Sequence, residues 1–223
     1  MGVLMTKRGS GTDIRPEGDT PTVIIIDDDA MVRNAMDSLF RSIGLPTLAF
    51  DSAQALLEHA LPPGPSCLIM DVRLPRMSGL EIQTKLAERG DRAPIIFITG
   101  HGDIPMSVRA MKAGAVDFLA KPFRDQDIID AVETALDRDR KRLKAETATE
   151  GAIHRAATLT RREGEVMALV VAGLMNKQIA GELGLSEITV KLHRGSMMRK
   201  MGVRTVADLV RIAEAIDRRG VQP

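Results

Sequence analysis

The chain of 223 residues contains no Trp, no Tyr and only five Phe. That scarcity excludes binding built on stacked aromatic platforms, as in single-strand binders and base-flipping proteins. Cys67 is the one cysteine, so no internal disulfide can form, and no Cys/His cluster has metal-site spacing. It opens the apolar run Cys67-Leu68-Ile69-Met70, which predicts a buried free thiol. No apolar run approaches the ~20 residues needed to span a bilayer. The start, MGVLMTKRGSGTDIRPEGDT, lacks the apolar core of a secretion signal and reads as a disordered tail. These absences predict a soluble cytoplasmic protein with no membrane contact.

What is present divides by charge. Residues 21–150 hold 16 Lys+Arg against 20 Asp+Glu, a net of −4, whereas residues 151–223 hold 12 against 7, a net of +5. An acidic half joined to a basic half predicts that only the second meets a polyanion.

From Thr22, short apolar runs alternate with helical stretches. The runs are Val23–Ile26, Thr47–Phe50, Cys67–Met70, Ile95–Thr99 and Val116–Ala120, apolar on both faces like strands buried in a parallel sheet. Between them, helices are predicted over Ala30–Ser42, Ser52–Ala60, Gly79–Glu88 and Ile104–Ala113, with a fifth from Asp125 to about Lys144. The order implies an α/β doubly wound five-stranded parallel sheet. The charged, Ala-rich stretch Arg138–Glu150 reads as a helix tail fading into a solvated linker. From Leu159 only helical periods remain. Thr160, Ser186 and Thr205 are predicted caps, Asn176 opens a short helix, and Gly173, Gly184 and Gly202 are stops. Four helices with a tight Gly-Leu-Ser turn make an all-α helix-turn-helix unit. The expected divisions are a tail (1–20), an α/β domain (21–138), a helical linker (139–155) and a helical domain (156–223).

Ligands of open parallel sheets bind at the carboxyl ends of the strands. Asp27, Asp28 and Asp29 follow the first strand, Asp71 ends the third, Thr99 ends the fourth, and Lys121-Pro122 follows the fifth. Taken singly, an Asp after a strand is a cap or turn former; together, they define a pocket. Neighbouring carboxylates need a shared cation, and hard oxygen donors favour Mg²⁺. A carboxylate can also act as a nucleophile and form an acyl phosphate, whose oxygens Lys121 and Thr99 would meet. Asp29 reads as a helix cap. Arg73 and His101 border the expected pocket mouth.

These residues, with Met70-Asp71-Val72-Arg73-Leu74-Pro75 and Phe118-Leu119-Ala120-Lys121-Pro122-Phe123, resemble the receiver domains of two-component systems over roughly residues 22–140. The resemblance implies a flavodoxin-like fold and Asp71 as phospho-acceptor. It further implies Mg²⁺ held by Asp28, Asp71 and the backbone carbonyl of Arg73, with Asp27 acting through water. Thr99 and Phe118 would form a switch pair.

In the basic half, a helix over Ser186–Met201 fits the major groove. Ile188, Val190 or Leu192, Met197 and Met201 are expected to anchor it, while Lys191, Arg194, Gly195 and Met198 would face the groove. Lys177, Thr189 and Arg199 suit phosphate contacts. The segments Leu159–Val166, Asn176–Ala180 and Ser186–Arg194 resemble the LuxR/NarL DNA-binding domain over roughly residues 156–218. Joined to the receiver, they resemble FixJ-like response regulators. This implies base contacts at Lys191, Leu192 and Gly195; because Gly195 has no side chain to read a base edge, more of that work falls to Lys191 and Arg194.

The resemblance implies a non-enzymatic transcription factor, phosphorylated by a sensor histidine kinase, that dimerises on phosphorylation and acts at duplex promoter DNA with RNA polymerase. Other readings are an aspartate-nucleophile phosphatase, a phosphate-independent regulator, and a basic domain that binds RNA or protein. The phosphatase reading suffers from Arg73, which stands where such enzymes carry a second Asp.

Overall fold

The computed structural model describes residues 20–100 and 104–219. The expected tail, apart from Thr20, and His101 lie outside them. The chain forms two compact units, residues 1–143 and 144–223.

In the first unit the elements alternate: β1 (Thr22–Ile26), α1 (Ala30–Ser42), β2 (Thr47–Phe50), α2 (Ala53–Leu57), β3 (Ser66–Asp71), α3 (Gly79–Glu88), β4 (Ile95–Thr99), α4 (Ile104–Lys112), β5 (Asp117–Ala120) and α5 (Asp125–Ala156). The strands are parallel, in the order β2-β1-β3-β4-β5. Side chains alternate across this sheet. Ile24, Ile26, Leu68, Met70 and Phe97 pack under α2, α3 and α4. Val23, Ile25, Cys67, Ile69, Ile96 and Ile98 pack under α1 and α5. The doubly apolar runs of the sequence thus become strands covered on both faces.

Local signals set most helix starts. Asp29 caps α1, accepting from Met31 N at 2.8 Å. Ser78 and Glu81 close a capping box on α3. Helix α2 is shorter than the predicted Ser52–Ala60. The carbonyl of Leu57 is taken from outside the helix by Arg89 Nη1, and Pro62-Pro63 follows closely.

Helix α5 departs most from expectation. Instead of fading after residue 138 it runs unbroken to Ala156. Asp139, expected in a solvated linker, is fully buried. Its carboxylate accepts from Ser66 N at 2.9 Å and from Arg142 Nε at 2.8 Å. It thereby satisfies a donor at the start of β3 that would otherwise be orphaned. Burial, with the Asp139 charge adding to it, pushes the Cys67 thiol far up, so that cysteine is an inert core residue.

The second unit packs α6 (Arg161–Val171), α7 (Asn176–Leu183), α8 (Glu187–Met201) and α9 (Val206–Asp217) around Val166, Met167, Val170, Ile179, Val190, Met197, Met201, Leu209 and Ile216. Ala152, near the end of α5, is buried in the same core. Helix α6 opens with the Thr160/Glu163 capping box. Helices α7 and α8 end at Gly184 (φ 64°) and Gly202 (φ 70°), in the left-handed conformation glycine adopts without strain.

Candidate functional site

The end of β3 and the loops after β1 and β5 bring three charged side chains together at the carboxyl edge of the sheet. Lys121 Nζ donates to Asp27 Oδ2 and to Asp71 Oδ2, each at 2.7 Å. Asp27 and Asp71 are buried. The other oxygens of the pair are also engaged. Asp27 Oδ1 accepts from Asp29 N at 2.9 Å and Asp71 Oδ1 from Arg73 N at 2.8 Å. Burial alone would lower the Lys121 ammonium; the hydrogen bonds and charges of the two carboxylates outweigh it and hold it above the ordinary lysine range. Both carboxylates therefore share one cation.

Asp28 is exposed and stands outside this triad. Among the described residues no three His, Cys, Asp or Glu side chains converge on one cation position. The donors at the pocket are nonetheless hard oxygens, two of them already arranged around one positive charge. That set fits Mg²⁺, which takes one or two carboxylates and keeps its remaining positions for water and phosphate oxygens.

Thr99 ends β4 fully buried, and its carbonyl accepts from Lys121 N at 2.7 Å. Phe118 is half-buried on β5 and pairs in register with Phe97, as Ala120 does with Thr99. By strand alternation Thr99 and Phe118 share the sheet face that packs α3 and α4. The Lys121-Pro122 peptide is cis. Arg73 is exposed, and its side chain borders a cavity that Met106 and Arg109 also line.

Two residues not singled out in the sequence shape this edge. Arg33 Nη1 donates to the Asp27 carbonyl at 2.7 Å, fixing the β1–α1 turn. Gly79 is required by close approach: a Cβ there would lie 2.7 Å from the Asp71 carbonyl oxygen and 2.8 Å from Phe97 Cε1. The sequence places Gly79 at the start of a predicted helix, but nothing local marks the crowding.

On α8, Val190, Met197 and Met201 face the core, as expected. Ile188 does not anchor the helix; it is 76% exposed, and Leu192 is 69% exposed. The reason is helical phase: 190, 197 and 201 form one stripe, and 188, 192, 195 and 199 another. Ile188, Lys191, Leu192, Gly195 and Arg199 line a shallow concavity of about 410 Å³ on that second stripe. Met198, expected toward a groove, packs partly buried against the core. Arg194 is half-buried and donates to Asn176 Oδ1 at 2.8 Å, joining α8 to the start of α7. Thr189 shares its hydroxyl with Ser186 at 2.8 Å, and Lys177 is exposed.

An acidic pocket with a bridging lysine on a β2-β1-β3-β4-β5 sheet, followed by a helix-turn-helix, defines a class of regulatory protein. Residues 23–133 match the response regulator receiver domain family, and residues 157–213 match the luxR family of bacterial regulatory proteins. The chain is 55% identical to nodulation protein W of Bradyrhizobium diazoefficiens over 87% of its own length and 86% of that protein. It is 49% identical to response regulator protein TmoT of Ectopseudomonas mendocina, covering 87% of this chain and 88% of that one. Among solved structures, response regulator StyR superposes with a TM-score of 0.75 at 48% identity, covering 87% of this chain and 98% of that chain. Full-length FixJ from B. japonicum superposes with a TM-score of 0.53 at 36% identity, covering 90% and 98%. The chain belongs to the two-component response regulators that join a receiver to a luxR-type DNA-binding domain, a family of transcription regulators whose partners are histidine kinases and DNA. Among the described residues no helix is long and apolar enough to cross a membrane.

Proposed function

We propose that this response regulator is switched by phosphorylation of Asp71. The observation that carries the reading is the Lys121 ammonium 2.7 Å from both Asp27 and Asp71. Its charge lies directly against the acceptor carboxylate, and it stands ready for the negative charge that a phosphoryl group adds. A carboxylate oxygen of Asp71 attacks phosphorus on the donor's phosphohistidine. The P–N bond breaks, its electron pair leaves on the imidazole, and an acyl phosphate remains. Asp27, Asp28, Asp71 and the Arg73 backbone carbonyl would hold Mg²⁺, which when bound neutralises phosphoryl oxygen charge. Lys121 supplies a second cation, and Thr99, at the end of β4, supplies a hydroxyl. Phe118 shares the Thr99 face of the sheet, so a shift at Thr99 is felt by β5 and α4. That coupling promotes dimerisation, and paired DNA-binding domains then meet paired half-sites in the cytoplasm, where RNA polymerase is recruited.

On α8, Lys191 and Leu192 suit base edges, and Gly195 leaves room for close approach. Lys177, Thr189 and Arg199 suit phosphates. Arg194 acts first as a brace, through Asn176. An apolar groove of about 540 Å³ between α1 and the Pro122-Phe123 segment includes Lys121 in its lining. A kinase seated there brings its phosphohistidine to the acceptor.

The test combines gel shift and sedimentation of wild type and Asp71→Ala, with Mg²⁺, with and without acetyl phosphate. Gains in mass and DNA affinity confined to wild type support the reading; identical behaviour of both proteins overturns it. Ala35→Arg, at an exposed position lining the groove, is expected to block transfer from a kinase but not from acetyl phosphate.

A further inference from the structure

Among the described residues two buried side-chain polar atoms have no hydrogen-bond partner, Gln83 Oε1 and Asp91 Oδ2. Both residues line one cavity of about 450 Å³. It opens between the end of α3, the start of β4, the α4–β5 turn and α5, at the sheet edge opposite Asp71.

Gln83 is 8% exposed. Its Nε2 donates to the Ala113 carbonyl at 3.0 Å, which fixes the amide and leaves Oε1 as the acceptor. Arg89 Nε stands 3.2 Å from Asp91 Oδ2 but lacks the alignment of a hydrogen bond. Its Nη1 is committed to the Leu57 carbonyl. Arg89 therefore supplies charge to Asp91 without a directed proton. Leaving a buried acceptor unmet costs about 1–3 kcal/mol, so two at one cavity call for a donor from outside the fold.

The remaining lining sets the chemistry. Leu86, Pro94 and Ile95 give an apolar wall, and Arg92 and Arg138 bring guanidinium groups to the rim. The charged lining residues are Asp91, Asp139, Arg92, Arg138 and Arg142, a formal +1. A simple cation is disfavoured there, and an anion cannot satisfy two acceptors. A zwitterion meets both needs: its ammonium donates to Gln83 and Asp91, and its carboxylate lies among the arginines. We propose that this cavity is a binding site for a free α-amino acid with an aliphatic side chain. The ligand would touch α3, the α4–β5 turn and α5 together, which makes it an input to the receiver distinct from Asp71. The proposal does not depend on the phosphorylation reading.

Calorimetric titration and thermal melting of the full chain test it with three probes: L-leucine, isoamylamine (no carboxylate) and 4-methylpentanoate (no amine). L-leucine is expected to bind at least tenfold more tightly than either analogue, and saturation is expected to raise the melting midpoint by roughly 2–4 °C. Gln83→Leu and Asp91→Asn each remove an acceptor and are expected to weaken leucine binding at least tenfold. Asp91→Asn keeps the side-chain volume, so it reads the site even where Gln83→Leu perturbs folding. No binding of any probe would mean that water alone meets the two acceptors and would sink the proposal. An analogue matching leucine, or both variants binding like wild type, would sink it equally.

Discussion

Lys200 Nζ donates to Glu163 Oε2 at 2.6 Å and to the Thr158 carbonyl at 3.1 Å. One lysine thus ties the last turn of α8 to the first turn of α6, where Glu163 also accepts from Thr160 N at 2.8 Å. The Glu163 carboxyl is buried and held down at about 2, first by Lys200, then by Ser196 and the Thr160 backbone.

That depression has a definite pH signature. A carboxyl whose folded value is lowered from 4.5 to about 2 contributes stability in full above 4.5 and loses it as the pH falls from there toward 2. Glu163→Gln is expected to cost the DNA-binding unit about 1–3 kcal/mol at neutral pH. It is also expected to flatten the acid limb of the unfolding curve. Circular dichroism of the two proteins between pH 5 and 2 checks this; identical acid limbs would refute it.

Lys121 is the shared cation of Asp27 and Asp71, so Lys121→Gln leaves the two carboxylates facing each other. The variant is expected to melt below wild type without Mg²⁺ and to recover more of that loss when Mg²⁺ is added. A melting midpoint that ignores Mg²⁺ in both proteins would count against a common cation position.

Two glycines are expected to respond oppositely to the same change. Gly79→Ala places a methyl against backbone at 2.7 Å, and overpacking of this kind costs about 1–3 kcal/mol. Gly195→Ala meets open space in a helix interior, where Ala is favoured by ~0.5–1 kcal/mol. Urea unfolding gives both values, and equal signs would contradict the packing described.

The concavity on α8 separates recognition from stability. Leu192→Ala, at a largely exposed position, is expected to change stability by less than about 0.5 kcal/mol while weakening DNA binding. Met197→Ala, fully buried in the same helix, is expected to cost about 2–5 kcal/mol. Melting and gel-shift titration of both variants give the comparison; a Leu192→Ala protein with full DNA affinity would remove that face from the DNA interface.

The end of α5 belongs to the core of the DNA-binding unit. Ala152 is buried there, and Arg155 Nε donates to the Met201 carbonyl at 3.0 Å. A fragment of residues 144–223 is therefore expected to melt higher than one of residues 157–223; equal midpoints would show that these contacts contribute nothing.

The order of strands and helices, the caps at Asp29, Thr160, Ser186 and Thr205, and the meeting of Asp27, Asp71, Thr99 and Lys121 at one sheet edge were all determined by the sequence alone. These features depend on interactions within a few residues or on the rule that parallel strands present their carboxyl ends together. Tertiary structure decided the rest. Asp27 rather than Asp28 shares Lys121, because the β1–α1 turn is fixed by Arg33 and Asp29. Asp139 looks like a linker residue until Ser66, distant in sequence, takes its carboxylate. Ile188 and Val190 are both apolar, and only the placement of α6, α7 and α9 around α8 buries one and exposes the other. Gln83 and Asp91 are ordinary polar residues of a helix and the turn after it until packing leaves one side-chain oxygen of each without a hydrogen bond. For Asp139 and Gln83 the deciding contact lies far along the chain, at Ser66 and Ala113, where neither composition nor periodicity carries information.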